Sequence, residues 1–168
     1  IGKSSEENKM KIGILSDSHD NLSLLQKALD ILEKEKIDLI LHAGDYVAPF
    51  SVELLSRSSI PWEGVLGNND GEILGIFQKS GGKINSPFWE GEKNGFRIWV
   101  SHFYLPAELA FESRKYNLVV YGHTHKAVIK EENGFFLVNP GEACGVLSGK
   151  PTLAFCDLEK KVAKLIDI

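Results

Sequence analysis

The chain has 168 residues, a formal net charge of -4, 43% hydrophobic residues and 25% charged residues, the composition of an ordinary globular domain. The negative charge argues against binding of long nucleic acid, which needs a basic surface, but allows a small phosphate ester near bound metal. The apolar runs are too short to span a bilayer, so no membrane partner is expected.

The first residues and the cysteines bear on processing and compartment. Residues 1–9 are mostly polar and lack the apolar core of a secretory signal. They are expected to be a flexible extension or a cloning remnant, with Met10 as the native start of a single domain over residues 10–168. Two cysteines make no disulfide framework, although one bridge stays open. A reduced, cytoplasmic compartment is therefore predicted.

Apolar periodicity predicts alternating strands and helices in the first half. The predicted strands are Lys11–Ser16, Asp38–His42 and Trp62–Leu66, and the predicted helices are Leu22–Lys36, Pro49 to about Arg57, and Ile73–Lys79. A Ser23–Gln26 capping box and Asn21 compete to begin the first helix. Asp70 and Glu72 are expected to cap the third helix. This βαβαβα order favours a parallel sheet.

The second half carries three hairpin signals, together with a predicted helix over Pro106–Lys115 and a strand over Asn117–Tyr121. The hairpins join Ser86–Glu90 to Phe96–Ser101, Val128–Glu131 to Phe135–Val138, and Thr152–Leu158 to Val162–Ile166. A parallel half followed by an antiparallel half predicts an α/β fold. Its two sheets would pack face to face as a β-sandwich flanked by helices.

Five short polar motifs directly follow apolar runs. They are Asp17-Ser18-His19, Gly44-Asp45, Gly67-Asn68-Asn69-Asp70, Ser101-His102 and Gly122-His123-Thr124-His125. Ligands of open α/β sheets bind at the carboxyl ends of strands, so these motifs are expected to form one polar cluster. Two carboxylates, one amide and four imidazoles, without a thiolate, suit a pair of borderline divalent metals. The alternative interpretation is a set of ordinary polar turns at strand ends.

The spacing within the motifs predicts how the side chains point. Residues two apart in extended backbone face the same side, so Asp17 and His19 should converge, as should His123 and His125. Asp45 has two carboxylate oxygens and can bridge two ions. Two metals about 4 Å apart would clamp a phosphoryl group and generate a bridging hydroxide that attacks phosphorus in line with the leaving oxygen.

In order and spacing, the five motifs resemble the calcineurin-like metallophosphoesterases, and most of all their small single-domain phosphodiesterase branch from bacteria and archaea. The resemblance runs from Met10 to Ile168 and includes the Asn139-Pro140-Gly141 loop. It implies a two-sheet sandwich of αββα layers and two divalent transition-metal ions, with manganese favoured and zinc, iron or nickel as alternatives. The implied ligands are Asp17, His19, Asp45 and His125 for one metal, and Asp45, Asn68, His102 and His123 for the other.

Three positions depart from the family pattern. Asn69 stands where many relatives carry a histidine that protonates the leaving group, and an amide cannot act as a general acid. Phe103 follows His102 where glycine is common, and phenylalanine needs ordinary backbone angles and space. Asp20 follows His19 where glycine is frequent.

The predicted function is hydrolysis of a small phosphodiester. Asp45, Asn68 and His102 would act through the metals and the phosphate, and Asn69 and Tyr104 are weaker candidates for the substrate rim. His42 is predicted to be a packed strand-end residue, with orientation of a ligand as the alternative.

Two other functions are weighed against this prediction. A phosphomonoesterase is disfavoured by Asn69. A protein-binding scaffold of the same fold is disfavoured because all seven ligand positions are present. The oligomeric state stays open, with a homo-oligomer as one alternative.

Overall fold

A computed structural model describes residues 10–168, and the extension predicted over residues 1–9 lies outside the described residues. Within the described range the chain forms eleven strands and four helices. In chain order these are β1 (Lys11–Leu15), α1 (Leu22–Lys34), β2 (Leu39–His42), α2 (Pro49–Arg57), β3 (Trp62–Val65), α3 (Ile73–Ser80), β4 (Ile84–Asn85), β5 (Phe88–Lys93), β6 (Phe96–Ser101), α4 (Tyr104–Glu112), β7 (Leu118–Val120), β8 (Val128–Glu132), β9 (Phe135–Asn139), β10 (Thr152–Asp157) and β11 (Val162–Asp167).

The first sheet has the strand order β11-β10-β1-β2-β3-β4. Strands β1 to β4 run parallel, with Ile12 opposite Leu39 and Ile40 opposite Trp62, whereas β10 is antiparallel to β1. Strand β2 is buried along its whole length, as expected for a parallel sheet covered on both faces. Helices α1 and α2 cover the outer face, where Leu25 and Leu55 join its core cluster.

The second sheet has the order β5-β6-β7-β9-β8. Its inner face packs against the first sheet, so that Ile14 and Leu41 share one core cluster with Val100 and Val120. Helix α4 covers the outer face through Phe111 and its neighbours. The two sheets and four helices confirm the predicted α/β sandwich of αββα layers.

The division of the sequence into a parallel and an antiparallel half is wrong in two places. Strands β6, β7 and β9 are parallel neighbours in the second sheet. The final hairpin, β10–β11, returns to the edge of the first sheet and pairs with β1. Strand β10 pairs both with β11, its neighbour in the sequence, and with β1, which is far away in the sequence. Local turn signals carry no information about the pairing with β1.

The helix ends also differ from the prediction. Helix α1 begins after Asn21, whose side chain accepts a hydrogen bond from the Leu24 backbone N–H at 3.2 Å, so the Ser23–Gln26 capping box is wrong. Helix α4 begins at Tyr104 rather than Pro106, because a proline is tolerated in the first turn where its missing N–H would have no helical partner.

Two further findings concern the helices and the cysteines. No helix between residues 10 and 168 has both the length and the apolar character needed to cross a membrane. Cys144 and Cys156 are both buried and both free thiols.

Candidate metal centre

The motifs that follow β1, β2, β3, β6 and β7 meet at one edge of the sandwich, and the structure brings all seven predicted ligands together there. The first cluster contains Asp17, His19, Asp45 and His125. Each offers one donor atom, and these four atoms lie within 4.8 Å of one another. Within this cluster, His125 Nε2 lies 3.3 Å from Asp17 Oδ1.

The second cluster is built around the Asn68 side chain. Its Oδ1 lies 2.9 Å from His102 Nε2 and 2.8 Å from His123 Nδ1. Asp45 connects the two clusters, because its Oδ2 lies 3.4 Å from His19 Nε2 and 3.5 Å from His102 Nε2. A single carboxylate therefore stands between the donor sets of both proposed ions.

Two buried polar atoms test whether this cluster fits a metal. Among the residues described, Asp17 Oδ1 and His19 Nε2 are buried and have no hydrogen-bond partner. Burying such atoms unpaired is costly and rare, and coordination to a cation would satisfy both. The Nδ1 atom of His102 faces the Ala43 carbonyl oxygen at 2.7 Å. A proton on this nitrogen leaves the Nε2 lone pair free to bind a metal. The residues present therefore fit divalent metal ions.

Asp17 and His19 converge on the first cluster, whereas His123 lies in the second cluster and His125 in the first. The backbone conformation predicted for these pairs is wrong. Asp17, His19, His123 and His125 have φ values of 52°, 42°, 65° and 58°, so they occupy the left-handed region rather than extended backbone. Side-chain-bearing residues are uncommon there and cost roughly 1–2 kcal/mol each. The loop is held in this shape by backbone hydrogen bonds of 3.0 Å from Asp17 to Gly44 and from His19 to Asp45.

Asp70 supports the loop that carries Asp45. The sequence had suggested instead that Asp70 caps α3. Its carboxylate accepts hydrogen bonds from the backbone N–H groups of Asp45, Val47 and Gly67 at 3.1, 2.7 and 2.7 Å. Burial raises the pKa of the Asp70 carboxyl, although all three of these N–H donors act in the opposite direction. Asp45 and Val47 both have positive φ, so the Asp70 carboxylate fixes the strained loop that presents Asp45 to both clusters.

Asp70→Ala is expected to lower the free energy of unfolding by about 3 kcal/mol or more, because each unpaired buried donor costs about 1–3 kcal/mol. Urea denaturation of the metal-free protein measures this change. Glu72→Ala is the matched control, because this exposed carboxylate makes no capping hydrogen bond to α3. Equal stability of the Asp70 variant and the wild type would contradict the supporting role.

His42 is fully buried, as predicted for a packed strand-end residue. Its Nδ1 accepts a hydrogen bond from the Gly44 N–H at 3.2 Å, which leaves Nε2 to donate to Ser18 Oγ at 3.1 Å. Its ring stacks on Tyr46, with 4.1 Å between the centroids. Burial lowers the pKa of His42 to about 3, so the ring is neutral. His42 thus ties together the two loops that carry Asp17 and Asp45.

Of the predicted rim residues, Asn69 lies at the cluster. It donates from Nδ2 to Asp45 Oδ2 and from its backbone N–H to Asp45 Oδ1, both at 2.8 Å. Tyr104 instead donates to Glu108 on its own helix at 2.6 Å. Phe103 has ordinary angles, with φ of -93° and ψ of 149°, and its ring lies 4.9 Å from that of His123. Phe103 is therefore the aromatic residue beside the second cluster.

Glu142 is a residue of the site that the sequence analysis missed. Its buried carboxylate accepts a hydrogen bond from His125 Nδ1 at 2.5 Å and another from Ser148 Oγ at 2.6 Å. Burial alone would raise the pKa of this carboxyl, but the hydrogen bonds from Ser148 and His125 lower it to about 2. The available signal was its place directly after the Asn139-Pro140-Gly141 loop.

Comparisons with known proteins agree with the fold. Residues 10–161 match the family model of the calcineurin-like phosphoesterase superfamily domain. Phosphodiesterase MJ0936 of Methanocaldococcus jannaschii is 35% identical over 161 residues, covering 90% of this chain and 95% of that protein. The solved structure of an archaeal phosphodiesterase has a TM-score of 0.86 and 34% identity, covering 95% of this chain and 100% of the other. Vacuolar protein sorting 29 of Cryptosporidium parvum has a TM-score of 0.69 at 18% identity, covering 95% and 97%, a likeness of fold alone.

Proposed function

We propose that this chain, which belongs to the calcineurin-like phosphoesterase superfamily, hydrolyses a small phosphodiester with two divalent transition-metal ions. As a member of that family, the chain is a metal-dependent phosphoesterase. The preference for a diester is supported by a curated relative and a solved structure, each named a phosphodiesterase and each about a third identical to this chain. We further propose manganese as the favoured metal, and the cytoplasm as the compartment, which the two free cysteines support.

The observation that carries the proposal is the position of Asp45 between two donor sets. Its Oδ2 lies within 3.5 Å of both His19 Nε2 and His102 Nε2. The first set also contains two buried polar atoms, Asp17 Oδ1 and His19 Nε2. Neither atom has a hydrogen-bond partner among residues 10–168. A carboxylate that lies between two sets of donors could hold two ions close enough together to act on one phosphate.

Each residue can be given a role in phosphodiester hydrolysis. Bound divalent ions would supply positive charge for the phosphoryl oxygens and would lower the pKa of a coordinated water. Asp45 would hold both ions at a fixed separation. Asn68 and His102, at the second donor set, would orient the phosphate through the ion that they bind. Only two of the seven ligands carry negative charge, so two divalent ions would leave the site positive and attractive to phosphate.

The scaffold alternative is disfavoured by sequence identity, which is about a third with the phosphodiesterases and 18% with vacuolar protein sorting 29. Vacuolar protein sorting 29 shares the fold, but fold alone does not determine function. In this chain, all seven ligand positions carry side chains that can bind a metal, and they converge.

Two manganese ions per chain are expected after the protein is stripped of metal and reconstituted. Elemental analysis after desalting measures this ratio. The reconstituted enzyme should cleave an aryl phosphodiester faster than the corresponding monoester. One ion or none at saturating manganese would contradict the binuclear site, whereas a preference for the monoester would contradict only the substrate class.

The affinity of the stripped protein for manganese is expected to fall as the pH decreases. A histidine must be neutral to bind a metal, and its ordinary pKa is about 6.5. Asp17, and then Asp45, raise the pKa of His19 above this value, against the opposite effect of burial. As the pH falls, protons therefore begin to compete with manganese for His19 already above about pH 6.5.

Calorimetric titration of manganese from about pH 8 to about pH 5 tests this dependence. Bound metal opposes protonation, so activity at saturating manganese should decline at a lower pH than the affinity does. Full metal occupancy and unchanged activity at about pH 4 would contradict the prediction.

A further inference from the structure

We propose that Glu142 is a positioning residue, whose one carboxylate fixes both the metal ligand His125 and an apolar wall of the substrate cleft. The inference rests on the proposed function, because it takes His125 as a metal ligand. We call the segment Cys144–Ser148 the ledge.

The first half of the argument is the contact between Glu142 and His125. Glu142 is fully buried, and its Oε2 lies 2.5 Å from His125 Nδ1. The other ring nitrogen, Nε2, faces Asp17 Oδ1 at 3.3 Å in the first donor set. The ring therefore cannot turn away from that set without breaking a charge-assisted hydrogen bond. A carboxylate in this position fixes the tautomer and makes the imidazole a better metal ligand.

The second half is the contact between Glu142 and the ledge. Its Oε2 accepts the Leu147 backbone N–H at 3.2 Å, and its Oε1 accepts both the N–H and the hydroxyl of Ser148. At the other end of the ledge, the Cys144 N–H donates to the Asp17 carbonyl at 3.2 Å. Gly145 has φ of 64° and allows the turn between these two anchors. The ledge is thus tied to the metal site at both ends.

The cluster of His125, Glu142 and Cys144 could itself be read as another metal site. Its hydrogen bonds argue against this, because Cys144 donates its S–H to Glu142 Oε2 at 3.3 Å. The carboxylate already accepts donors on both oxygens, so it has no position left for an ion. Positioning, rather than metal binding, is therefore the role that the contacts support.

The ledge presents apolar side chains to the substrate. Val146 and Leu147 are 72% and 74% exposed. Together with His19, Asn69 and His125, they line a cleft of about 270 Å³. An ester substituent that projects from a phosphate held at the metal site would lie against them. We infer that the substituent bound here is apolar, because the exposed surface that it covers is aliphatic.

Three variants separate the two functions of the Glu142 carboxylate. Glu142→Gln keeps the shape but removes the charge and turns an N–H₂ group toward the donors of the ledge. Ser148→Ala removes one anchor of the ledge and leaves the contact with His125 intact. Leu147→Ser changes only the exposed apolar surface.

Calorimetry with Mn²⁺ on the stripped protein is the first measurement. Glu142→Gln should weaken binding at one site by about 10- to 100-fold, whereas Ser148→Ala and Leu147→Ser should retain wild-type affinity. The second measurement is the steady-state kinetics of an aryl phosphodiester at saturating Mn²⁺. All three variants should then raise KM, by about fivefold for Leu147→Ser, with little change in kcat.

Several outcomes would overturn the proposal. If folded Glu142→Gln binds Mn²⁺ with wild-type affinity, Glu142 does not position His125. If KM is unchanged in all three variants, the ledge does not contact the substrate. Weakening of Mn²⁺ binding by Ser148→Ala to the same extent as by Glu142→Gln would also overturn it. Failure of the wild type to bind Mn²⁺ would instead refute the proposed function itself.

A measurement on the wild type covers the case in which Glu142→Gln does not fold. In the zinc-loaded protein, the long-range ¹H–¹⁵N spectrum should show His125 protonated on Nδ1, with a proton that exchanges slowly. A protonated Nε2 would overturn the proposed contact with Glu142.

Discussion

Asp45→Ala is expected to empty both metal sites and to lower kcat/KM by at least about a thousandfold. Metal-ion catalysis of this kind is worth several kcal/mol, and every 1.4 kcal/mol is about tenfold in rate. The effect should be this large because Asp45 Oδ2 lies within 3.5 Å of donors from both sets, His19 and His102. Elemental analysis of the reconstituted variant and its kcat/KM for an aryl phosphodiester measure the two effects.

His125→Ala is the control variant for Asp45→Ala. His125 belongs to the first donor set alone, so its loss should remove one ion and leave the second. The urea midpoints of both variants without metal show whether either one has lost its fold. Retention of two ions by Asp45→Ala, or identical metal losses in the two variants, would contradict the bridging role.

The location of the site could be predicted because it depends on local patterns. Each motif follows a short apolar run, and buried strands in a parallel sheet end at a common edge. For this reason Asp45, after β2, and His102, after β6, lie 3.5 Å apart although they belong to different sheets.

The backbone of the site could not be predicted from the same patterns. Alternation in an extended strand suggested that Asp17 and His19 face one way, but both residues have positive φ. That conformation depends on hydrogen bonds to the carbonyls of Gly44 and Asp45, far away in sequence. The frequent glycine at the position of Asp20 has the same explanation, because Asp20 has φ of 54°.

The supporting roles of the Asp70 and Glu142 carboxylates could not be predicted for a related reason. An acidic residue before a helix usually caps it, yet Asp70 bonds to backbone N–H groups more than twenty residues away, at Asp45 and Val47. Glu142 likewise acts on His125 across seventeen positions. No spacing rule relates such pairs, because they meet only when several strands have assembled. The parallel pairing of strands β6, β7 and β9 was not predicted for the same reason, since parallel neighbours come from distant segments.

Asn69→His is expected to narrow the rate difference between aryl and alkyl phosphodiesters. Asn69 lines the cleft beside His19 and His125, and its Nδ2 donates a hydrogen bond to Asp45 Oδ2 at 2.8 Å. A side chain at this position therefore lies next to the proposed site of phosphate binding. An amide cannot donate a proton to the departing oxygen. The wild type should therefore favour substrates whose leaving group is stable as an anion, such as a phenolate, and should be slow with alkoxides.

A histidine at position 69 would supply the missing proton, and a positioned general acid is worth roughly 10²–10⁴-fold. The gain should appear in kcat/KM of the alkyl diester and hardly at all in that of the aryl diester, measured at matched metal occupancy. Asn69→Ala is the control, because it also loses the amide bond to Asp45 but adds no acid. If the aryl-to-alkyl ratio is the same in the wild type and Asn69→His, the side chain at position 69 does not reach the leaving group. A ratio that narrows equally in Asn69→Ala would trace the effect to the lost amide rather than to proton donation.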